Sequence, residues 1–417
     1  MLNFEVALPQ GDAPENLPAE QSHGFEVMSD PEISVQREDG LFLTSLMLKS
    51  LNPGWGSDEH ELAKETTEYF SKNPIDRNIV NFFGEIGALK DGDVDEESLY
   101  ILSLTLDHPE REEAAIATLE KYKPWIQDPR GLHTRFMSVL RNFGASSAAG
   151  VLRTSFEEDT NRDIKRREKR LSLTRERISK LIEFFQPDEN TTPVTKIEIL
   201  PTNFLYPKNA GAGFHFGDTL VIMSNIDNDD NIDHEFLHCV INPIVEKLEA
   251  TLTESQREGI LSRTSGRLRE NYGDHLYSVL CEEFIRTYND WFKKGKLPIT
   301  KSEFMRELGH QKTRGRDLEN FIEAVTEHGT RKIEFSTRLF GGVHTMDEWR
   351  DELRKYFERY KQSDVQNMVY DAYKTYTQER EQNPQLNFEV FISEKFPRLV
   401  QKLLFDKYAP SMPERES

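Results

Sequence analysis

Cysteine is scarce in this chain of 417 residues, which contains only Cys239 and Cys281. Two thiols exclude a disulfide framework, and so few cysteines are typical of a protein in a reducing compartment. Cys239 directly follows a histidine and Cys281 precedes a Glu-Glu pair, so metal ligation and a mutual disulfide are alternatives. We interpret both residues as small, buried apolar side chains, which is a common role for a free cysteine.

Long apolar runs are also absent. No stretch approaches the ~20 consecutive apolar residues that a membrane-spanning helix needs, so we predict no membrane span. Residues 1–6 show no basic region followed by an apolar core, and no signal peptide is visible. We therefore expect a cytoplasmic protein, and export stays open if the chain is a trimmed form.

Positive charge is in deficit, because 53 lysines and arginines stand against 73 acidic residues and give a net charge of −20. A phosphate backbone would repel such a chain, so we expect no nucleic-acid partner. Segment 162–180 is an exception, since it carries a marked excess of lysine and arginine. We interpret this segment as the solvated face of a long helix, with nucleic-acid contact as the alternative.

The periodicity of apolar residues divides the chain near residue 190. Short strand-like stretches at 3–8 and 32–36 come first, and three- and four-residue spacing then predicts helices. Residues 195–200 and 218–223 alternate as strands do, and helical spacing returns for most of the remaining chain. We predict an α+β fold that is predominantly α-helical, with a mainly helical region at 1–190 and a second region at 191–417 in which a small sheet precedes helices.

His234, Glu235 and His238 form an H-E-x-x-H pattern directly after an acidic turn at 227–233. On an α-helix the two histidines project from one face, so both imidazoles can reach one metal ion. Such a pair suits Zn²⁺, which takes neutral imidazole nitrogens and can keep one position open for water. Glu235 is then placed to accept a proton from that water. The acidic turn can cap this helix.

A catalytic zinc ion needs a third protein ligand, and the segment 274–286 is the best source of one. Its apolar stripe fits a helix, and Glu282 lies away from that stripe, in line with His275 and Arg286. This polar line could be a solvent face with an ordinary Glu–Arg pair. Alternatively it faces the metal, with Glu282 as ligand and Arg286 orienting its carboxylate.

At this point the sequence resembles the gluzincin division of zinc metallopeptidases. Within that division it resembles a poorly characterised bacterial family that pairs an HExxH helix ending in Asn-Pro with a Glu-x-x-x-Arg helix. Here these motifs are residues 234–243 and 282–286, and the resemblance extends over roughly 195–295. It implies a zincin-like catalytic domain in 191–417 that binds one zinc ion and hydrolyses peptide bonds.

The resemblance also implies a role for each motif residue. His234, His238 and Glu282 would bind zinc, and Glu235 would act as general base. The doubled glutamate departs from the family pattern, so Glu283 is an alternative ligand; we choose Glu282 from its register with Arg286.

Two further roles need residues outside the motif. A donor is required for the tetrahedral oxyanion, and the candidates are His275, Tyr277, Tyr288 and His215. In related zincins, a strand before the active helix pairs with the substrate main chain. The candidates for this strand are Asp218, Thr219, Leu220 and Val221.

We therefore expect a zinc-dependent peptidase that acts on peptide or protein substrates. The alternative is a helical interaction or scaffold protein whose zincin-like site is inactive or structural. A zinc hydrolase acting on a non-peptide amide would use the same residues. The sequence does not indicate an oligomeric state.

Overall fold

The computed structural model describes residues 28–53, 61–87, 94–188, 194–202, 211–224, 229–294 and 363–405. The α-helices within these ranges are α1 (Asp39–Leu51), α2 (Glu61–Lys72), α3 (Arg77–Glu85), α4 (Glu96–Ser103), α5 (Glu112–Tyr122), α6 (Pro129–Gly144), α7 (Ser147–Glu168), α8 (Leu171–Phe185), α9 (Asp229–Ala250), α10 (Glu254–Leu261), α11 (Gly266–Tyr272), α12 (Leu276–Arg286), α13 (Asp364–Gln382) and α14 (Phe388–Phe405). A 3-10 turn spans Pro109–Arg111, and a π-helical turn, Thr287–Phe292, continues α12. None of the helices in these ranges is long and apolar enough to cross a membrane.

One small sheet accompanies the helices, so the fold is α+β and predominantly α-helical. Its strands are β1 (Glu32–Val35), β2 (Lys196–Pro201), β3 (Gly211–Phe216) and β4 (Thr219–Ser224). Their order in the sheet is β1-β2-β4-β3, with β1, β2 and β4 parallel and β3 antiparallel to β4. The strand-like stretches at 32–36, 195–200 and 218–223 are confirmed, the stretch at 3–8 lies outside the described residues, and β3 was not predicted.

The sheet lies between two helical layers because its side chains alternate between two cores. On one face, Ile197 and Ile222 belong to a core formed with α8, α9, α12, α13 and α14. On the other face, Leu200, Val221 and Met223 belong to a core formed with α1 to α7. Because β1 precedes residue 190 and pairs with β2, the two regions of the sequence meet in one sheet.

Helix α9 carries both histidines and is buried along most of its length. Phe236, Leu237 and Val240 are at most 2% exposed, and they anchor the helix in the core beneath the sheet. The helix does not end at Asn242 but runs through Pro243 to Ala250. Apolar contacts on both sides of the proline therefore outweigh the loss of one main-chain hydrogen bond.

The basic segment 162–180 is not a solvated face throughout, and that interpretation is wrong for its central arginines. Arg167 is fully buried and pairs with Asp229. Arg177 is one-fifth exposed and binds Asp233. The positive charge at the α7–α8 junction thus meets the acidic first turn of α9, and these charges stabilise each other between helices.

Candidate metal centre

Helices α9 and α12 bring three ligand atoms together. The Nε2 atoms of His234 and His238 are 3.3 Å apart. Oε1 of Glu282 lies 3.6 Å from the Nε2 atom of His234 and 3.5 Å from that of His238. Among the described residues, this is the one group of three or more His, Cys, Asp or Glu side chains that could hold a metal ion.

Both oxygens of the Glu282 carboxylate have a protein partner as well. Nε of Arg286, one helical turn later, pairs with Oε2. The hydroxyl of Tyr272 donates to Oε1 across 3.1 Å. The carboxylate is thus held between two donors while Oε1 faces the imidazoles, an arrangement that orients metal ligands in other proteins.

Tyr272 was missed from the sequence. It is the last residue of α11 and lies ten positions before Glu282. It belongs to no motif, and the helical spacing that covers most of the chain after residue 223 gives no sign of a break between α10 and α11. In the structure the chain turns between α10 and α11 and again at Gly273, where φ is +57°. These turns bring the tyrosine back beside α12, and no local periodicity signals them.

Glu283 points away from the histidines. It is fully buried, and its Oε1 accepts hydrogen bonds from the main-chain N–H of Ser265 at 3.2 Å and from Oγ of Ser363 at 2.9 Å. These serines are the N-caps of α11 and α13. The two adjacent glutamates therefore differ in position, with Glu282 at the cluster and Glu283 at a junction of helices.

The charges in the cluster favour ionised ligands. Burial alone raises the pKa of Glu282, but the neighbouring His234 and Arg286 outweigh burial and hold this pKa well below its usual range. Burial lowers the pKa of His238, but Glu282 and Glu235 outweigh that effect and raise it to about 9. A cation is therefore favoured among these side chains, whether it is a proton or a metal ion.

The other ring nitrogen of His238 also has a partner. Its Nδ1 lies 3.0 Å from Oδ1 of Asn242, one turn later on α9. An acceptor at this distance places the proton on Nδ1 and leaves Nε2 free to bind a metal. This contact gives a physical reason for an asparagine at position 242, directly before Pro243.

Glu235 projects from α9 toward strand β3. A Cβ added to Gly213 would lie 3.0 Å from both the Cβ and Oε2 of Glu235. The strand can approach this closely because glycine has no side chain there. Glu235 therefore contacts β3 from the helix that also carries both histidines.

The four candidate oxyanion donors lie in different surroundings, and burial and the charge of His238 lower the pKa of one of them, His215. Tyr288 is wrong as a site residue, because its ring packs among Phe184, Phe185 and Tyr373 in the core. His275 is exposed at the N-cap of α12, two turns before Glu282.

Two of these candidates contact the cysteines instead. Tyr277 hydrogen-bonds to Cys281, and Nε2 of His215 lies 2.8 Å from Sγ of Cys239. Both cysteines are free and buried, which excludes the disulfide between them. Burial raises the pKa of each thiol, so both stay protonated.

The strand that was expected to pair with substrate is in the interior of the sheet. Thr219, Leu220 and Val221 pair with β2 on one side and with β3 on the other. Their main-chain groups are already hydrogen-bonded, so the prediction of 218–221 as the substrate strand is wrong. Among the described strands, β1 and β3 are the edges of the sheet, and β3 is the one that touches Glu235.

No protein-family model matches this chain, and no curated protein or solved structure is significantly similar to it.

Proposed function

We propose that this protein is a zinc-dependent peptidase. The observation that carries the proposal is the convergence of His234, His238 and Glu282, with Glu235 on the same helix beside β3, an edge strand among the described residues. A metal site used only for structure would have no need of a free carboxylate at this position. The similarity of the motifs to the gluzincins agrees with this assignment.

The separations between the three ligand atoms fit zinc. Bonds of about 2.0–2.1 Å at tetrahedral angles put ligand atoms about 3.3–3.5 Å apart. The three distances in this cluster are 3.3, 3.5 and 3.6 Å. Two imidazoles and one carboxylate are also a donor set that is common in catalytic zinc sites, where the fourth position takes water.

When bound, zinc would lower the pKa of a water molecule toward neutrality and polarise the scissile carbonyl. Glu235 would accept the proton of that water and deliver it to the leaving amine. Tyr272 has a hydroxyl beside the ligand oxygen of Glu282. Burial and the charge of Glu282 raise the pKa of Tyr272, so its hydroxyl stays protonated and would reach a developing oxyanion by turning away from Glu282.

The edge strand β3 supports a polypeptide as substrate. Among the described strands it pairs with β4 alone, so its outer main-chain groups can hydrogen-bond to an extended peptide. Such pairing reads the main chain and tolerates many side chains. Because Gly211 and Gly213 have no side chains, the main chain of β3 can lie close to α9.

The test compares the wild-type protein with Glu235→Gln and with Glu246→Gln, an exposed glutamate on the same helix. We expect about one zinc per chain in all three, and hydrolysis of labelled casein by the wild type and Glu246→Gln only. Full hydrolysis by Glu235→Gln would refute the mechanism. A wild-type protein that holds no metal, and whose melting temperature is unchanged by chelation, would favour a scaffold protein instead.

A further inference from the structure

Asp233 immediately precedes the first metal-binding histidine and is almost completely buried, with 1% of its surface exposed. Nε of Arg177 lies 3.1 Å from each of its carboxylate oxygens, and Nη2 of the same arginine lies 2.7 Å from Oδ2. Nζ of Lys293 pairs with Oδ2 as well. A carboxylate at this depth is stable only because it has such partners.

These contacts connect three helices. Arg177 belongs to α8, Asp233 to α9, and Lys293 directly follows the π-helical turn that continues α12. Because α12 carries Glu282, the two helices that supply metal ligands are joined at a second point. None of the residues in this second junction is a metal ligand, so the junction forms without a metal ion.

A neighbouring contact strengthens this junction. Asp229, at the start of α9, pairs with Arg167 and Arg170. The first turn of α9 is therefore held from the α7–α8 side by three arginines and from the α12 side by Lys293. This arrangement gives the basic segment 162–180 a role that neither a solvated face nor nucleic-acid binding describes.

We propose that Asp233 is a positioning residue that holds α9 and α12 in the metal-binding arrangement before the ion arrives. The inference rests on the metal site of the proposed function but not on peptide hydrolysis. Preorganised ligands bind a metal more tightly, because binding does not have to order them. Loss of the Asp233 junction should thus weaken metal binding and disturb ligand geometry.

The experiment uses the full chain and two variants of the junction, Asp233→Asn and Lys293→Gln. Lys293 is about one-third exposed, so its substitution keeps the fold even if Asp233→Asn does not. Glu176→Gln is the control, since Glu176 is an exposed carboxylate of α8 whose ion pair with Lys180 lies within that helix. Zinc affinity is measured by chelator competition, and ligand geometry by the visible spectrum of the Co²⁺ form.

We expect zinc affinity to fall about 10–100-fold in both junction variants, with an altered Co²⁺ spectrum, and less than about threefold in the control. Folded Lys293→Gln with wild-type affinity and spectrum would overturn the proposal, even if its melting temperature fell. A wild type that binds neither metal would instead refute the zinc site itself. The two failures are therefore distinguishable.

Discussion

Glu235 and Gly213 are in such close contact that no larger residue than glycine fits on the strand without a shift. A Cβ at position 213 would lie 3.0 Å from both the Cβ and Oε2 of Glu235. Because Oε2 belongs to the group that we expect to move the proton, a small displacement of this side chain should affect the reaction directly. The contact thus links the sheet edge to the proposed base.

Gly213→Ala should lower kcat by about tenfold or more, because misplacing a catalytic group by a fraction of an ångström is costly. Zinc content should not change, since neither histidine is touched. The measurement is steady-state kinetics together with metal analysis. Gly150→Ala is the control, as a Cβ there would meet nothing within 4 Å. Unchanged kcat in Gly213→Ala would show that the position of Glu235 is not critical.

Arg286→Gln should weaken zinc binding by about 10–100-fold, because the Glu282 carboxylate loses the partner on Oε2. Chelator competition measures this change. Arg269→Gln serves for comparison, since its pair with Asp274 is exposed. Equal zinc affinities in the two variants would contradict the role of Arg286.

Tyr272→Phe should lower kcat by about 10²–10³-fold if its hydroxyl binds the oxyanion. Zinc affinity should fall much less than in Arg286→Gln, because Arg286 still holds the other oxygen of Glu282. Kinetics and metal titration of the same preparation separate the two effects. A variant with lower zinc affinity but wild-type kcat at saturating zinc would limit Tyr272 to orienting Glu282.

Glu38 should make stability depend on pH. Burial raises its pKa from 4.5 to about 8, and the nearby Arg111 offsets this only in part. The unfolded chain releases this proton near pH 4.5 and the folded chain near pH 8, so the contribution of Glu38 to stability is fully present below pH 4.5 and is lost as pH rises toward 8. The contribution lost is about 5 kcal/mol.

Glu38→Gln removes this titration, so its melting temperature should vary less between pH 5 and 8 than that of the wild type. Thermal unfolding across that range is the measurement. Glu258→Gln, at an exposed position, should keep the pH dependence of the wild type. Parallel curves for the wild type and Glu38→Gln would contradict a buried, protonated Glu38.

Local periodicity predicted much of what surrounds the cluster. The spacing of His234 and His238 on one helix, and of Glu282 and Arg286 on another, follows from the helical repeat alone. Alternation likewise identified β2 and β4, whose buried residues face two cores. The choice between Glu282 and Glu283 depended on the same register, and the structure brings Glu282 rather than Glu283 to the histidines.

What the sequence did not indicate depends on long-range contacts. Strand β3 was missed because Gly211 and Gly213 weaken any strand pattern, yet they are required where Glu235 and Asn231 press on the strand. The order of strands placed β4 in the interior, which no single-strand pattern could predict. Tyr272 and Arg177 reach their partners only through turns and packing between helices.

The hydrogen bond between Ser363 and Glu283 bears on when the protein could become active during synthesis. Ser363 lies 80 residues after Glu283 in the chain, so both histidines leave the ribosome long before this contact can form. The helix that carries Glu282 therefore gains this contact only after the segment that contains Ser363 has been synthesised. For the proposed peptidase, this order would delay activity until the segment that contains Ser363 has folded against α12.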